Sequence, residues 1–250
     1  MAYDNEAAVG RAIATSSVDR DAVFITTKIK GYHEYLTERG CTEAVRDSVD
    51  KLDCGPIDLL LVHWWNPQSD MAETFGALND LRDDGYIKQI GVSNFSADQL
   101  REAIDASDAP ILTNQIEYHP YRDQDTLLQT CRDAGVLVTA YSPLAEGLAV
   151  ADPTLESIGQ RYEKSAAQVA IRWLIQQEGV LTIPKAATPS HITANIDVFD
   201  FSLTTSEMQR ISSLRGPLRY RLTADDGAVT RFRHRLGSYL PASIRQSVPF

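Results

Sequence analysis

Short apolar runs alternate along this chain with stretches in which apolar positions recur every three or four residues. The runs predict strands at Val23–Thr27, Ile57–Val62, Ile87–Val92, Leu112–Glu117, Val136–Tyr141 and Val180–Ile183. The helical spacing predicts amphipathic helices at Asn5–Thr15, Thr42–Leu52, Met71–Asp83, Ala97–Ala106, Asp123–Ala134, Ser165–Gln177 and Thr205–Leu214. Local signals agree with several of these ends. Ser96 is placed to cap the helix at Ala97, Asp84-Gly85 is a turn, and Gly135 stops the helix before Val136. Strands alternating with helices in this way are the signature of repeated βα units on a parallel sheet.

Two architectures hold such units, a doubly wound sheet and a closed barrel. No Gly-x-Gly-x-x-Gly follows any of the strands, which removes the main marker of a Rossmann domain. Polar residues instead recur where successive strands end: Lys28, His63, Ser93-Asn94, Gln115, Tyr141-Ser142 and Lys185. In an eight-stranded barrel that rim is where chemistry happens. The expectation is an α/β fold, a (β/α)8 TIM barrel lacking its first two strands and first helix, because six strands are visible and the helix at Asn5–Thr15 has no strand before it. The barrel-like unit is expected over residues 1–214. Residues 215–250 read as an arginine-rich tail, with Arg215, Arg219, Arg221, Arg231, Arg233, Arg235 and Arg245.

Composition narrows the function classes. A net charge of −10, from 34 acidic and 24 basic side chains, argues against nucleic acid or an anionic membrane as partner. One reading of so acidic a surface is adaptation to high salt. No run reaches the roughly eighteen apolar residues needed to cross a bilayer, and the opening residues do not read as a signal peptide. Cys41, Cys54 and Cys131 have no metal-type spacing and read as free thiols, which points to the cytoplasm.

Tyr3, Lys28 and His63 form a set with a chemical meaning. A tyrosine can donate a proton, a lysine can lower its pKa, and an imidazole can orient a carbonyl, which together suit carbonyl reduction by a nicotinamide. The chain resembles the aldo-keto reductase family over roughly residues 1–214. The matching pieces are Tyr3-x-Asn5-Glu6 with Val9-Gly10, Phe24-Ile-Thr-Thr-Lys28, Leu60-Leu-Val-His63-Trp64, Ile90-Gly-Val-Ser-Asn-Phe95, Asn114-Gln-Ile-Glu-Tyr-His-Pro120, Ala140-Tyr-Ser-Pro-Leu144 and Ile183-Pro-Lys185. The resemblance implies Tyr3 as general acid, Lys28 as the cation beside it and His63 as the carbonyl-orienting group. It implies that Ser93, Asn94 and Gln115 hold the nicotinamide carboxamide and that Tyr141 stacks on the ring. Ser142 and Leu144 would run along the pyrophosphate, and Lys185, Thr188, His191 and Asn195 would take the adenosine end. Glu117 and His119 fit strand-end packing instead.

The resemblance also has departures. NADPH-preferring members usually carry arginine, serine and glutamate where His191, Ala186 and Ala194 stand. A histidine is only partly charged near neutrality and offers no bidentate fork. NADPH is the expected cofactor because Lys185 is kept, with NADH as an alternative; no metal is expected. Lys30 stands near where many members place a substrate-pocket tryptophan, and a cation there would favour acidic or hydroxylated substrates. The family's Asp-Thr-Ala-x-x-Tyr motif would put its aspartate ahead of Met1, which implies that Met1 is an internal methionine of a longer reductase. The expected activity is NAD(P)H-dependent reduction of an aldehyde, ketone or keto-sugar. The alternative is a nicotinamide-binding pseudoenzyme that lacks the aspartate.

Overall fold

The structure is a computed structural model and describes residues 3–216. From residue 217 onward the expected arginine-rich tail lies outside the described residues. Six strands form one parallel sheet: β1 (Thr26–Ile29), β2 (Ile57–Val62), β3 (Ile87–Ser93), β4 (Ile111–Glu117), β5 (Leu137–Tyr141) and β6 (Val180–Thr182). Their spatial order is their sequence order. Parallel strands in sequential order, joined by right-handed crossovers, carry their helices on one face, whereas a doubly wound sheet reverses direction. This is the barrel arrangement. Among the described residues β1 and β6 each pair on one side only, as expected of six successive staves of an eight-stranded barrel.

The helices are α1 (Glu6–Ala14), α2 (Glu38–Leu52), α3 (Met71–Asp83), α4 (Ala97–Ala106), α5 (Asp125–Asp133), α6 (Pro153–Gly159), α7 (Ala166–Ile175), α8 (Pro189–Ile196) and α9 (Thr205–Ser212). Their starts are chemically specified. Ser96, Ser165 and Thr204 each form a full capping box with Gln99, Gln168 and Glu207, and the Asp70 carboxylate accepts from the N–H groups of Ala72 and Glu73. Helix α2 begins at Glu38, four residues before the expected Thr42. Gly40 lies in the added first turn, where a Cβ would stand 1.9 Å from the Glu34 carbonyl oxygen, so glycine is what admits the tight turn. Helices α6 and α8 were not among the predicted elements.

All six residues of β2 are buried, in keeping with the unbroken apolar run of a parallel strand covered on both faces. Strand β1 starts three residues later than predicted. The Ile25 N–H donates to the buried Asp58 carboxylate at 2.8 Å, and Arg20 bonds both the Val23 carbonyl and Asp58, so side chains hold residues 23–25 except at the Ile25 carbonyl, which accepts from the Leu59 N–H of β2. Lys88 pairs with the other Asp58 oxygen. The open side of β6 continues into an exposed apolar face with Leu181, Ile183, Ile196 and Phe199, the last 73 % exposed.

Candidate active site

Helix α1 delivers Tyr3 to the rim. Asp4 adopts a left-handed backbone (φ 49°) that turns the chain from Tyr3 into α1. Two contacts then fix the helix: the Thr27 hydroxyl donates to the Glu6 carboxylate at 2.8 Å, and Gly10 lies so close to the end of α2 that a Cβ would stand 2.0 Å from the Leu52 carbonyl oxygen. The Tyr3 and His63 rings end up with centroids 6.1 Å apart, and the Lys28 Nζ lies 5.4 Å from the Tyr3 ring centroid. Three residues from the head of the chain, β1 and the end of β2 therefore meet at one place.

The electrostatics of this trio are specific. Burial pushes the Tyr3 phenol above its ordinary value, although the side chain is still 61 % exposed. Burial likewise pulls the Lys28 ammonium down, and no carboxylate of the described residues lies within 4 Å of it. The Lys28 ammonium faces the Tyr3 ring rather than stabilising a phenolate, so burial alone sets the direction for Tyr3. The His63 imidazole is pushed down to about 4, first by burial and then by the charge of Lys28. Its Nδ1 is sealed without a partner, and its ring packs on Trp64 with centroids 4.2 Å apart. Neutral near pH 7, it is a hydrogen-bonding group and not an acid.

Beside the trio, four strand ends are laced together through Asn94. Its side-chain amide donates to the His63 carbonyl and to the Ser93 hydroxyl, each at 3.0 Å, and its carbonyl accepts from the Tyr141 hydroxyl at 2.9 Å. The Asn94 N–H and the Ser93 hydroxyl both donate to the Gln115 carbonyl. Asn94 sits at φ 59°, a conformation that asparagine tolerates better than most residues. Gln115 differs from its neighbours. Its side chain is only 5 % exposed, yet its amide makes no hydrogen bond within the described residues. A nearly buried amide with no protein partner among the described residues, beside a tethered tyrosine ring, fits a flat heteroaromatic ring that bears a carboxamide.

Ser142 and Leu144 lie in the loop after β5. Ser142, Ala145 and Glu146 all have positive φ, and the Ala145 N–H donates to the Ser142 carbonyl at 2.9 Å. Non-glycine residues held in this region cluster at ligand sites. Lys185, Thr188 and His191 are exposed and Asn195 half-buried, and no hydrogen bond or ion pair joins them to the first group among the described residues. Thr188 precedes α8 without capping it, which leaves N–H groups of the first turn open near Lys185, an arrangement suited to phosphate. A cavity of about 350 Å³ beside it is lined by Ala186, Ile192, Asn195 and Phe199, among others. His119 is fully buried 3.6 Å from Glu117, as strand-end packing requires. The bonding of Asn94 to Tyr141 and the ring stack from His63 through Trp64 to Tyr32 were not foreseen from sequence. Among the described residues no group of His, Cys, Asp and Glu side chains converges as metal ligands, and no helix is long and apolar enough to cross a membrane.

A parallel barrel sheet with a tyrosine, a lysine and a histidine gathered on its C-terminal rim defines a class of oxidoreductase. The sequence profile of the Aldo/keto reductase family matches residues 1–215. An aldo-keto reductase of Mycobacterium sp. (strain JLS) is 41 % identical over 223 residues, covering 87 % of this chain and 78 % of that protein. The crystal structure of a putative 2,5-diketo-D-gluconic acid reductase B superposes with a TM-score of 0.85 at 44 % identity, over 89 % of this chain and 78 % of the other. An aldo-keto reductase of Bombyx mori in complex with NADP gives 0.75 at 34 % identity, over 84 % and 75 %. This chain belongs to the aldo-keto reductase family and is an oxidoreductase.

Proposed function

We propose that this chain reduces a small aldehyde, ketone or keto-sugar to its alcohol with NADPH. The observation that carries the reading is the meeting of Tyr3, Lys28 and His63 at one point of the rim. Bound NADPH would supply a hydride from C4 of its nicotinamide. Tyr3 donates its phenolic proton to the carbonyl oxygen as negative charge develops there. A phenol near its ordinary pKa of about 10 is a weak acid at neutrality, and an adjacent ammonium stabilises the phenolate left behind. Lys28 has that part, which requires its Nζ to move from the ring face to the hydroxyl. His63, neutral above pH of about 4, donates a hydrogen bond to the same oxygen and so lowers the cost of its charge.

The cofactor's carboxamide is assigned to Gln115 with Ser93 and Asn94, and its ring to Tyr141. Ser142 and Leu144 are assigned to the pyrophosphate, and Lys185, Thr188, His191 and Asn195 to the adenosine end. NADH remains an alternative because His191 lacks an arginine's fork. The unit carrying these residues is 1–214, followed by the arginine-rich C-terminal segment 215–250. Three free cysteines, two of them buried, suit a reducing compartment, and the cytoplasm is the proposed location.

One observation favours a second reading, a nicotinamide-binding protein without turnover: Lys28 has no carboxylate partner among the described residues. Two measurements separate the readings. NADPH binding followed by fluorescence tests the cofactor site, and loss of NADPH absorbance with glyceraldehyde tests turnover. Binding with turnover, cut at least about a hundredfold by Tyr3→Phe, is the expected result. Binding without turnover selects the second reading, and full activity in Tyr3→Phe removes the acid role.

A further inference from the structure

The chain has six lysines, and they divide by position. Lys51 pairs with Asp47, Lys88 with Asp58, and Lys164 with both Asp197 and Asp200. Lys28, Lys30 and Lys185 have no carboxylate within 4 Å among the described residues, and all three stand where a strand ends on the rim. In a protein of net charge −10 an unpaired cation is conspicuous, and two of the three already have work, Lys28 beside Tyr3 and Lys185 at the phosphate end. Lys30 has none.

Its setting is built. Ile25 and Ile29 are buried in the core, so strand parity sends Lys28 and Lys30 to the opposite side of the chain from them. Lys30 is half-buried, with its Nζ 5.9 Å from the Tyr35 ring centroid. The next residue, Gly31, is pressed against Trp64 so closely that a Cβ would lie 2.2 Å from the indole Cδ1. Trp64 in turn packs on His63 and, edge-on at 6.0 Å, on Tyr32. Lys30 thus stands at the far end of an aromatic wall that begins at His63.

We infer that Lys30 is a specificity-determining residue and that the substrate is an oxo acid, whose carboxylate pairs with Lys30 while its carbonyl lies between Tyr3 and His63. This rests on the carbonyl-reductase reading of the same site. Lys30 directly follows β1 and is two residues from Lys28, a spacing of about 7 Å in extended chain, so a carboxylate a few bonds from a carbonyl held beside Lys28 reaches Lys30. A monodentate ammonium set against apolar rings favours a compact anion with a flat or short carbon skeleton.

The test is a matched pair of ligands, 4-(hydroxymethyl)benzoate and benzyl alcohol, titrated against tryptophan fluorescence in the presence of NADPH. The expected result is at least a tenfold preference for the carboxylate, falling to about one in Lys30→Met and recovered in Lys30→Arg. A preference below twofold, or one that survives in Lys30→Met, overturns the assignment whether or not the protein turns over. The corresponding aldehydes, 4-carboxybenzaldehyde and benzaldehyde, then read turnover. If neither is reduced although the carboxylate preference holds, the catalytic reading fails and the Lys30 site stands.

Discussion

Asn94→Ala should destabilise the rim more than any other single polar substitution there, because one side chain ties the ends of β2, β3 and β5. Alanine removes the two hydrogen bonds given by the amide and the one accepted from Tyr141. At a net of about 1 kcal/mol each, these contribute about 3 kcal/mol. The backbone at φ 59° adds about 1 kcal/mol, since alanine meets a Cβ clash there that asparagine partly offsets by local bonding. The sum of about 4 kcal/mol is a large fraction of an ordinary domain's stability. Asn94→Gly loses the same bonds but not the backbone term, and should be about 1 kcal/mol less costly than alanine. Urea unfolding of the three proteins reads both differences from their midpoints. NADPH binding should weaken in both variants, because the Tyr141 hydroxyl loses its anchor. Equal stability of the alanine and glycine variants would refute the strained-backbone account, and an alanine cost below about 1 kcal/mol would refute the network itself.

Three further outcomes follow from named contacts. Burial opposes the charge of Asp58, but the Ile25 N–H, Lys88 and Arg20 more than offset it and hold the carboxyl below its ordinary value. Native protein therefore binds fewer protons there than unfolded chain, so this contribution is present above the ordinary carboxylate pKa and lost as pH falls below about 4. Asp58→Asn should cost about 3 kcal/mol at neutral pH and flatten the acid limb of the stability curve; an unchanged limb in the variant would contradict this. His63, held down to about 4, should show no imidazole titration by NMR between pH of about 5.5 and 8. Its sign is likewise a loss of stability on acidification, between the unfolded value of about 6.5 and the native one, and a protonation midpoint near 6.5 in the folded protein would disprove the burial argument. Gly31→Ala drives a Cβ into Trp64 and should cost at least about 2 kcal/mol and move the indole emission; a variant of native melting temperature would mean that the loop is free to yield.

Much of this architecture is legible in the sequence, for reasons that differ from element to element. Helices α3 and α4 have the predicted bounds because apolar period and N-terminal caps agree, with Asp70 and Ser96 in place as acceptors. The missed helix α6 carried a readable signal, since Asp152 caps it and Pro153 occupies its first turn. Strand β1 could not be placed by pattern. Its late start depends on Asp58 and Arg20, polar groups whose pairing is set by tertiary contact and leaves no periodic trace.

The site divides in the same way. Which residues stand on the rim follows from where apolar runs end, and Lys28, His63, Ser93, Gln115 and Tyr141 were all found by that rule. Which of them touch depends on the stagger between strands distant in sequence. Asn94 and Tyr141 are 47 residues apart, and their hydrogen bond exists because β3, β4 and β5 are aligned in one register, with an irregularity between Ile90 and Val92. Gly91 lies within that irregularity, where a Cβ would stand 2.6 Å from Leu61. A side chain at Gly91 would press on the Leu61 side chain of β2 and on the Thr113 carbonyl of β4, 3.0 Å from its Cβ. The Gly-Val-Ser-Asn run therefore encodes a position as well as the groups that occupy it. The small residue lets β3 lie close between its neighbours, and the register of β3, β4 and β5 brings the polar pair to Gln115, Tyr141 and His63.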